Sequence, residues 1–412
     1  MTPLRRARSL VAVLPLLVLT ACSAGPNTDT AGSPQTTDET SSFSGVVGVD
    51  WLPSSTPDND SDSRVTDAVF ALGRFWVLVE GAATVIFSST PDPDEWESTT
   101  LESLGVPAAS ADSAHFAPTE ESLSLVVTGA WDEGAPDNPP TPIVLTTTGD
   151  GWSADPRAAA LVPWTPSEIV SPRYFSYQGL TEAAHHDGSL TLFSTGGWYE
   201  PFKTGDESIV TMTLGPDGEL RREIVDRPPF GGDGQVRSHG LHTLAGSMTL
   251  VTTTSIREPD TTILVVHQSE DGVAWQSTTV TAPNLLGYVD PFAVSSWSTG
   301  DTVYIEGETK PAWNSAADEA VSFLLRSTDG VTWRPVDITA VDGRLRGGTD
   351  GQRDYVLAPT SFTSGDVWAE GDGAGWELIA EGVAPDGLVI SYPGGIAVVD
   401  EYGMEYSGPW PE

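Results

Sequence analysis

The stretch Ser327-Thr-Asp329-Gly330-Val-Thr-Trp333 recurs, and recurrence at a fixed spacing constrains the fold of this chain more than any single residue does. Ser269-Glu-Asp271-Gly272-Val-Ala-Trp275 copies it nearly residue for residue. Shorter versions stand at Asp372-Gly373-Ala-Gly-Trp376, Asp150-Gly151-Trp152 and Thr90-Pro-Asp92-Pro-Asp94-Glu-Trp96. The chemistry is that of a tight turn: Asp bonds its own backbone, Gly takes a positive φ, and Trp leaves in a fixed direction. Trp96 to Trp152 is 56 residues, Trp275 to Trp333 is 58, and Trp333 to Trp376 is a shorter 43. The 123 residues from Trp152 to Trp275 hold two periods, with Gly215-Pro-Asp217-Gly218-Glu-Leu220 at the turn of a repeat that lacks its Trp.

Between the turns the chain reads as strands of four to eight residues. Ser189-Leu-Thr-Leu-Phe-Ser-Thr and Ser247-Met-Thr-Leu-Val-Thr-Thr alternate with period two, and 32 prolines and 42 glycines leave little room for long helices. Four antiparallel strands per period of some 50 residues predict an all-β propeller. Six blades account for 65–380. The segments 387–410 and Gly45-Val-Val-Gly-Val-Asp-Trp51 supply a seventh closed by strands from both termini, which removes exposed edges. Seven blades are expected, with six as the alternative, in one domain over 43–412.

The turns resemble the Asp-box, or BNR, repeat of sialidase-like propellers, whose pattern is Ser-x-Asp-x-Gly-x-x-Trp. Here Asp and Gly are adjacent, one residue shorter than that pattern. The resemblance implies that Asp150, Asp271, Gly272, Trp275, Asp329, Gly330, Trp333, Asp372 and Trp376 are structural and lie away from the ligand face. Binding of Ca2+ by these acidic turns is the other reading. The family's catalytic arginine motif, Arg-Ile-Pro, does not occur in this chain, so sialidase activity is not expected.

At the N-terminus Arg5, Arg6 and Arg8 precede an apolar run, 10–19, too short to span a bilayer. Leu19-Thr20-Ala21-Cys22 resembles the bacterial lipobox, which implies removal of 1–21 and lipidation of Cys22. Cys22 is the only cysteine, so no internal disulfide forms. Residues 22–42 are polar and small and make a flexible tether. The expectation is export and lipid anchoring to the outer face of the cytoplasmic membrane of a Gram-positive type of bacterium. After Cys22 the chain carries 58 acids against 16 basic residues, a net of −42, which argues against nucleic acid as a partner. A monomer that binds a glycan, a peptide or an envelope protein fits better.

Two sets of residues are candidates for a site. His115, His186 and His239 fall on predicted innermost strands of three consecutive blades and are candidates for a shared metal site; His239 and His242, three apart, point to opposite sides of a strand and chelate poorly. The second set lies on the face opposite the turns, where the second-to-third-strand loops 130–142, 197–207, 256–262 and 308–319 emerge. They carry Trp131, Trp198, Tyr199, Phe202 and Trp313, with Tyr288 on a blade-entry loop. An aromatic rim accompanied by carboxylates suits stacking on sugar rings or holding a peptide. A glycoside hydrolase is the alternative to a non-catalytic binding module, and it requires two carboxylates converging at the channel mouth.

Overall fold

A computed structural model describes residues 45–47, 64–81, 83–106, 113–128, 141–161, 175–200, 203–225, 235–244, 246–257, 260–280, 288–289, 294–299, 301–310, 321–338, 345–361, 364–371, 375–400 and 403–411. Trp131, Phe202, Trp313, Asp372, Cys22 and the lipobox lie outside them.

Seven antiparallel sheets follow one another along the chain. The innermost strands are Arg64–Ala71, Ser113–Pro118, Phe175–His186, Gln235–Leu244, Ser295–Thr299, Arg346–Thr349 and Leu388–Tyr392. Each packs against the next, and the last packs against the first, so the ring is closed. In blade 5 the innermost position is shared, since Tyr288–Val289 and Ser295–Thr299 both pair with Thr302–Lys310. Blade 7 takes three strands from the C-terminal end, Leu388–Tyr392, Gly395–Val399 and Met404–Ser407, and its outermost from Gly45–Val47. Seven blades, not six, is the count.

Period-two alternation explains the core. In Arg74–Glu80 the side chains of Phe75, Val77 and Val79 enter a cluster shared with blade 7, while Trp76 and Leu78 enter one shared with blade 2. Both faces of a blade are buried, and apolar clusters fill all seven interfaces among the described residues. Trp410 locks the closing joint: its ring lies 5.2 Å from Phe75, and its Nε1 donates to Thr90 O at 3.1 Å.

The repeated turns join blade to blade. Asp329 Oδ1 accepts from the N–H groups of Val331 and Thr332 at 2.8 and 2.6 Å, and Asp271 Oδ1 does the same with Val273 and Ala274 at 2.8 Å each. The indole N–H of Trp96, Trp275 and Trp333 donates to the carbonyl three residues back, which is why the spacing from turn to Trp is fixed. Each ring then packs on the preceding blade: Trp275 meets Phe193 edge-on at 5.2 Å, Trp152 meets Trp76 at 5.5 Å, and Trp376 joins the cluster of Tyr304 and Leu324. In blade 3 Leu220 takes the Trp place, packed with Val144 and Leu161 of blade 2.

The turn that holds Asp150 differs in length. Between the paired residues Gln268 and Gln276 of blade 4 stand seven residues, but only six separate Thr146 from Ser153 in blade 2. In the shorter turn the hydroxyl of Thr147 accepts from Gly149 N–H at 3.0 Å, as Ser327 Oγ accepts from Gly330 N–H in blade 5, and Asp150 is exposed. A second difference concerns the expected loop 197–207. It is a continued ladder, Ser189–Glu200 against Lys203–Leu214, with Tyr199 opposite Thr204 and Glu200 opposite Lys203. Blade 4 extends likewise to Arg257 opposite Asp260, because Thr, Ser and Ile sustain the alternation past the body of the ring.

Candidate functional site

The innermost strands of blades 1 and 3 are built to one plan. Thr66-Asp67-Ala68 stands in blade 1 and Thr181-Glu182-Ala183 in blade 3, each acid four residues before the last paired residue of its strand, Ala71 or His186. The two-residue turns that follow have positive φ at both positions, Leu72 and Gly73 in one and Asp187 and Gly188 in the other. A register shift inserts one extra residue immediately before each acid, Thr66 or Thr181. Such a bulge re-aims the side chain that follows it.

Asp67 has His115, on the innermost strand of blade 2, as an electrostatic neighbour, and Glu182 has Asp67. Asp67 Oδ1 accepts from Ala68 N–H at 2.8 Å, and Oδ2 accepts from Phe116 N–H of blade 2 at 2.7 Å. Burial pushes its carboxyl above the usual range, while the nearby His115 and those two N–H groups pull the other way. Glu182 makes no hydrogen bond to the described residues. Burial first, and the charge of Asp67 second, push its carboxyl up to about 8. Both side chains are half-buried. Near pH 7 the proton therefore stays on Glu182, whereas Asp67, also pushed up by burial, has two N–H groups and the nearby His115 that favour its anion. The result is a neutral Glu182 from blade 3 in electrostatic contact with Asp67 of blade 1.

The histidines do occupy innermost strands of three consecutive blades, but they do not assemble into a metal centre; no group of three or more His, Cys, Asp or Glu in metal-binding geometry exists among the described residues. Each turns to a local partner. His185 Nε2 lies 2.9 Å from Ser124 Oγ, and His239 Nε2 lies 2.7 Å from Thr253 Oγ1. His242 Nε2 is 2.7 Å from Ser296 Oγ, whose proton goes to His239 O at 2.8 Å, so His242 is the donor. Burial lowers His242 to about 4 and keeps it neutral. His186 is the last residue of its strand, next to the turn.

Of the aromatic rim, Trp198, Tyr199 and Tyr288 lie on strands Ser189–Glu200 and Tyr288–Val289, with side chains outside the described atoms. Asp67 and Glu182 were not singled out from the sequence. The signal was there in the repeated Thr-acid-Ala before a two-residue turn, but 58 acids made any single one uninformative.

No protein-family model and no curated protein matches the chain. Solved structures do resemble it in shape. Polysaccharide lyase Uly1 is 11% identical with a TM-score of 0.51, over 82% of this chain and 88% of that one. The β-propeller domain of the trilobed protease from Pyrococcus furiosus is 9% identical with a TM-score of 0.46, over 84% and 92%. Trypanosoma rangeli sialidase is 10% identical with a TM-score of 0.39, over 82% and 56%. What the chain shares with them is the β-propeller fold.

Proposed function

We propose that the protein is an exported, lipid-anchored, Asp-box-type propeller that binds a polar ligand at the axial end of blades 1 to 3. One observation carries the reading: Glu182, held neutral, and Asp67, which accepts from two backbone N–H groups, interact across blades 3 and 1 and offer a donor and an acceptor. A hydroxyl-rich ligand uses both, donating to one and accepting from the other. The lipobox-like Leu19-Thr20-Ala21-Cys22 and the polar tether support a location outside the cell at some distance from the membrane, and the net charge of −42 after Cys22 disfavours polyanions. Among the described residues no helix is long and apolar enough to cross a membrane.

A second reading, glycoside hydrolysis, is favoured by the same pair for a separate reason. A carboxyl held neutral near pH 7 next to a carboxylate is the acid–base division of labour that glycosidases use. Calorimetric titration of the protein with muropeptides and common glycans tests binding. The ligand should bind the wild type and lose affinity in Glu182→Gln and Asp67→Asn. Chromogenic glycosides separate the readings: turnover that both substitutions abolish supports hydrolysis, and binding without turnover supports the first reading. No binding and no turnover refutes both. Cys22→Ser, followed by fractionation of the producing cells, tests the anchor; the variant should leave the membrane fraction.

A further inference from the structure

A second site lies away from the axis, where the short turn of blade 2 faces blade 1. Three residues paired across blade 1, Trp76, Ser88 and Glu97, point at that turn. The same row in blade 3 is Thr191, Thr213 and Arg221, and in blade 4 it is Thr249, Gln268 and Gln276. In those blades the row and the facing turn are in contact. Thr213 Oγ1 donates to Gly272 O at 3.0 Å, and Gln268 Nε2 donates to Asp329 O at 2.9 Å. A Cβ placed on Gly272 would meet Thr191 Oγ1 at 2.7 Å and Thr213 Oγ1 at 2.8 Å, so no free space remains there.

Between blades 1 and 2 the contact is missing. Nothing lies within 4 Å of where a Cβ on Gly149 or Gly151 would be. The shortened turn stands off, and Ser88, at the position of Thr213 and Gln268, is too short to reach it. A cavity of about 320 Å³ results. That is the low end of the range for small-molecule sites and holds one ring rather than a chain. Trp152, edge-on to Trp76, stands among the lining residues, but the surface that faces the cavity is mostly polar. Arg74 and Glu97, paired at 3.3 Å, and the exposed Asp150 supply a guanidinium and two carboxylates around it. A small, mostly polar cavity whose guanidinium and carboxylates take neighbouring hydroxyls in pairs suits a single sugar ring.

We propose that this inter-blade cavity binds a single neutral pyranose, independently of the axial acids. Saturation-transfer NMR of the whole protein with the methyl glycosides of glucose, galactose, mannose, fucose and N-acetylglucosamine tests it. At least one glycoside should show transfer from the protein. Ser88→Gln, which supplies the side chain that fills the equivalent space in blade 4, should abolish it while raising the melting temperature. Asp150→Ala, at an exposed position, should weaken binding about tenfold or more, the usual loss for a charged hydrogen-bond partner. Glu182→Gln should leave it unchanged. The proposal is overturned if none of these glycosides binds, if binding survives both Ser88→Gln and Asp150→Ala, or if Glu182→Gln removes it, which would place the sugar at the axis.

Discussion

Glu182→Gln is expected to make the protein more stable than the wild type in mildly alkaline solution, and the sign follows from linkage. The folded Glu182 carboxyl is pushed up to about 8, against 4.5 for an exposed glutamate. Below pH 4.5 both folded and unfolded chains hold the proton. Between 4.5 and 8 the unfolded chain releases it and the folded ring retains it, so stability is lost as pH rises, and the loss is complete above about 8. His242 acts in the opposite sense. Its folded value is about 4 against 6.5, so stability gained from keeping it neutral rises from pH 4 to 6.5 and is constant above. The two slopes oppose each other up to pH 6.5, and of the pair only Glu182 titrates from there to 8.

At about 1.36 kcal/mol per pH unit, that window costs the wild type about 2 kcal/mol that the glutamine variant does not lose. Urea unfolding of both proteins at pH 6.5 and pH 8 measures it. Comparing the two proteins cancels every other titrating group they share. The difference between them should widen by about 2 kcal/mol across the window. Parallel losses would refute the reasoning: Glu182 would then be ionised and solvated in the folded ring, and the neutral acid beside Asp67 would not exist.

Three further outcomes follow from the turns and the closing joint. Gly330→Ala should destabilise by about 1–3 kcal/mol, because φ is +68° there and a Cβ would run into the Gln268 side chain; chemical unfolding measures it. Trp275→Ala should cost about 2–4 kcal/mol by the same assay, since it removes the ring packed on Phe193 and the bond to Gly272 O. Trp410→Ala should loosen one interface only: hydrogen exchange should quicken in Gly45–Val47 and Met404–Ser407 and stay slow in Ser247–Arg257 of blade 4.

The architecture was legible because its signal is periodic and mechanical. Trp96, Trp275 and Trp333 each bond the carbonyl three residues back, so the side chain that packs on the preceding blade is tied to the turn, and counting turns counts blades. Even the repeat without a Trp was readable, since Gly215-Pro-Asp217-Gly218 keeps the turn and Leu220 fills the place of the ring. Function is written differently. Asp67 and Glu182 matter because a bulge on each strand re-aims them and because His115 and two N–H groups favour the anion of one acid over that of the other. None of those causes is a property of an isolated aspartate or glutamate, so composition, in which acids are abundant, hid them.

The same contrast explains why departures from the repeat carry more about function than the repeat does. At Gly272 and Gly330 the turn and the preceding blade fill each other's space, and those junctions have no capacity to take up a ligand. Asp150-Gly151-Trp152 keeps the residue types of the repeat but is one residue shorter than the turn of blade 4, and the shortening leaves the Asp free of the turn and opens a cavity in front of Trp152. A turn whose Asp, Gly and Trp served packing alone would have no reason to leave that space unfilled when one glutamine, as in blade 4, fills it. Ser88→Gln is therefore a test of purpose as well as of fit: it should restore the blade-4 junction and raise the melting temperature while removing the sugar site, the trade expected where a binding cavity is held open at the expense of packing.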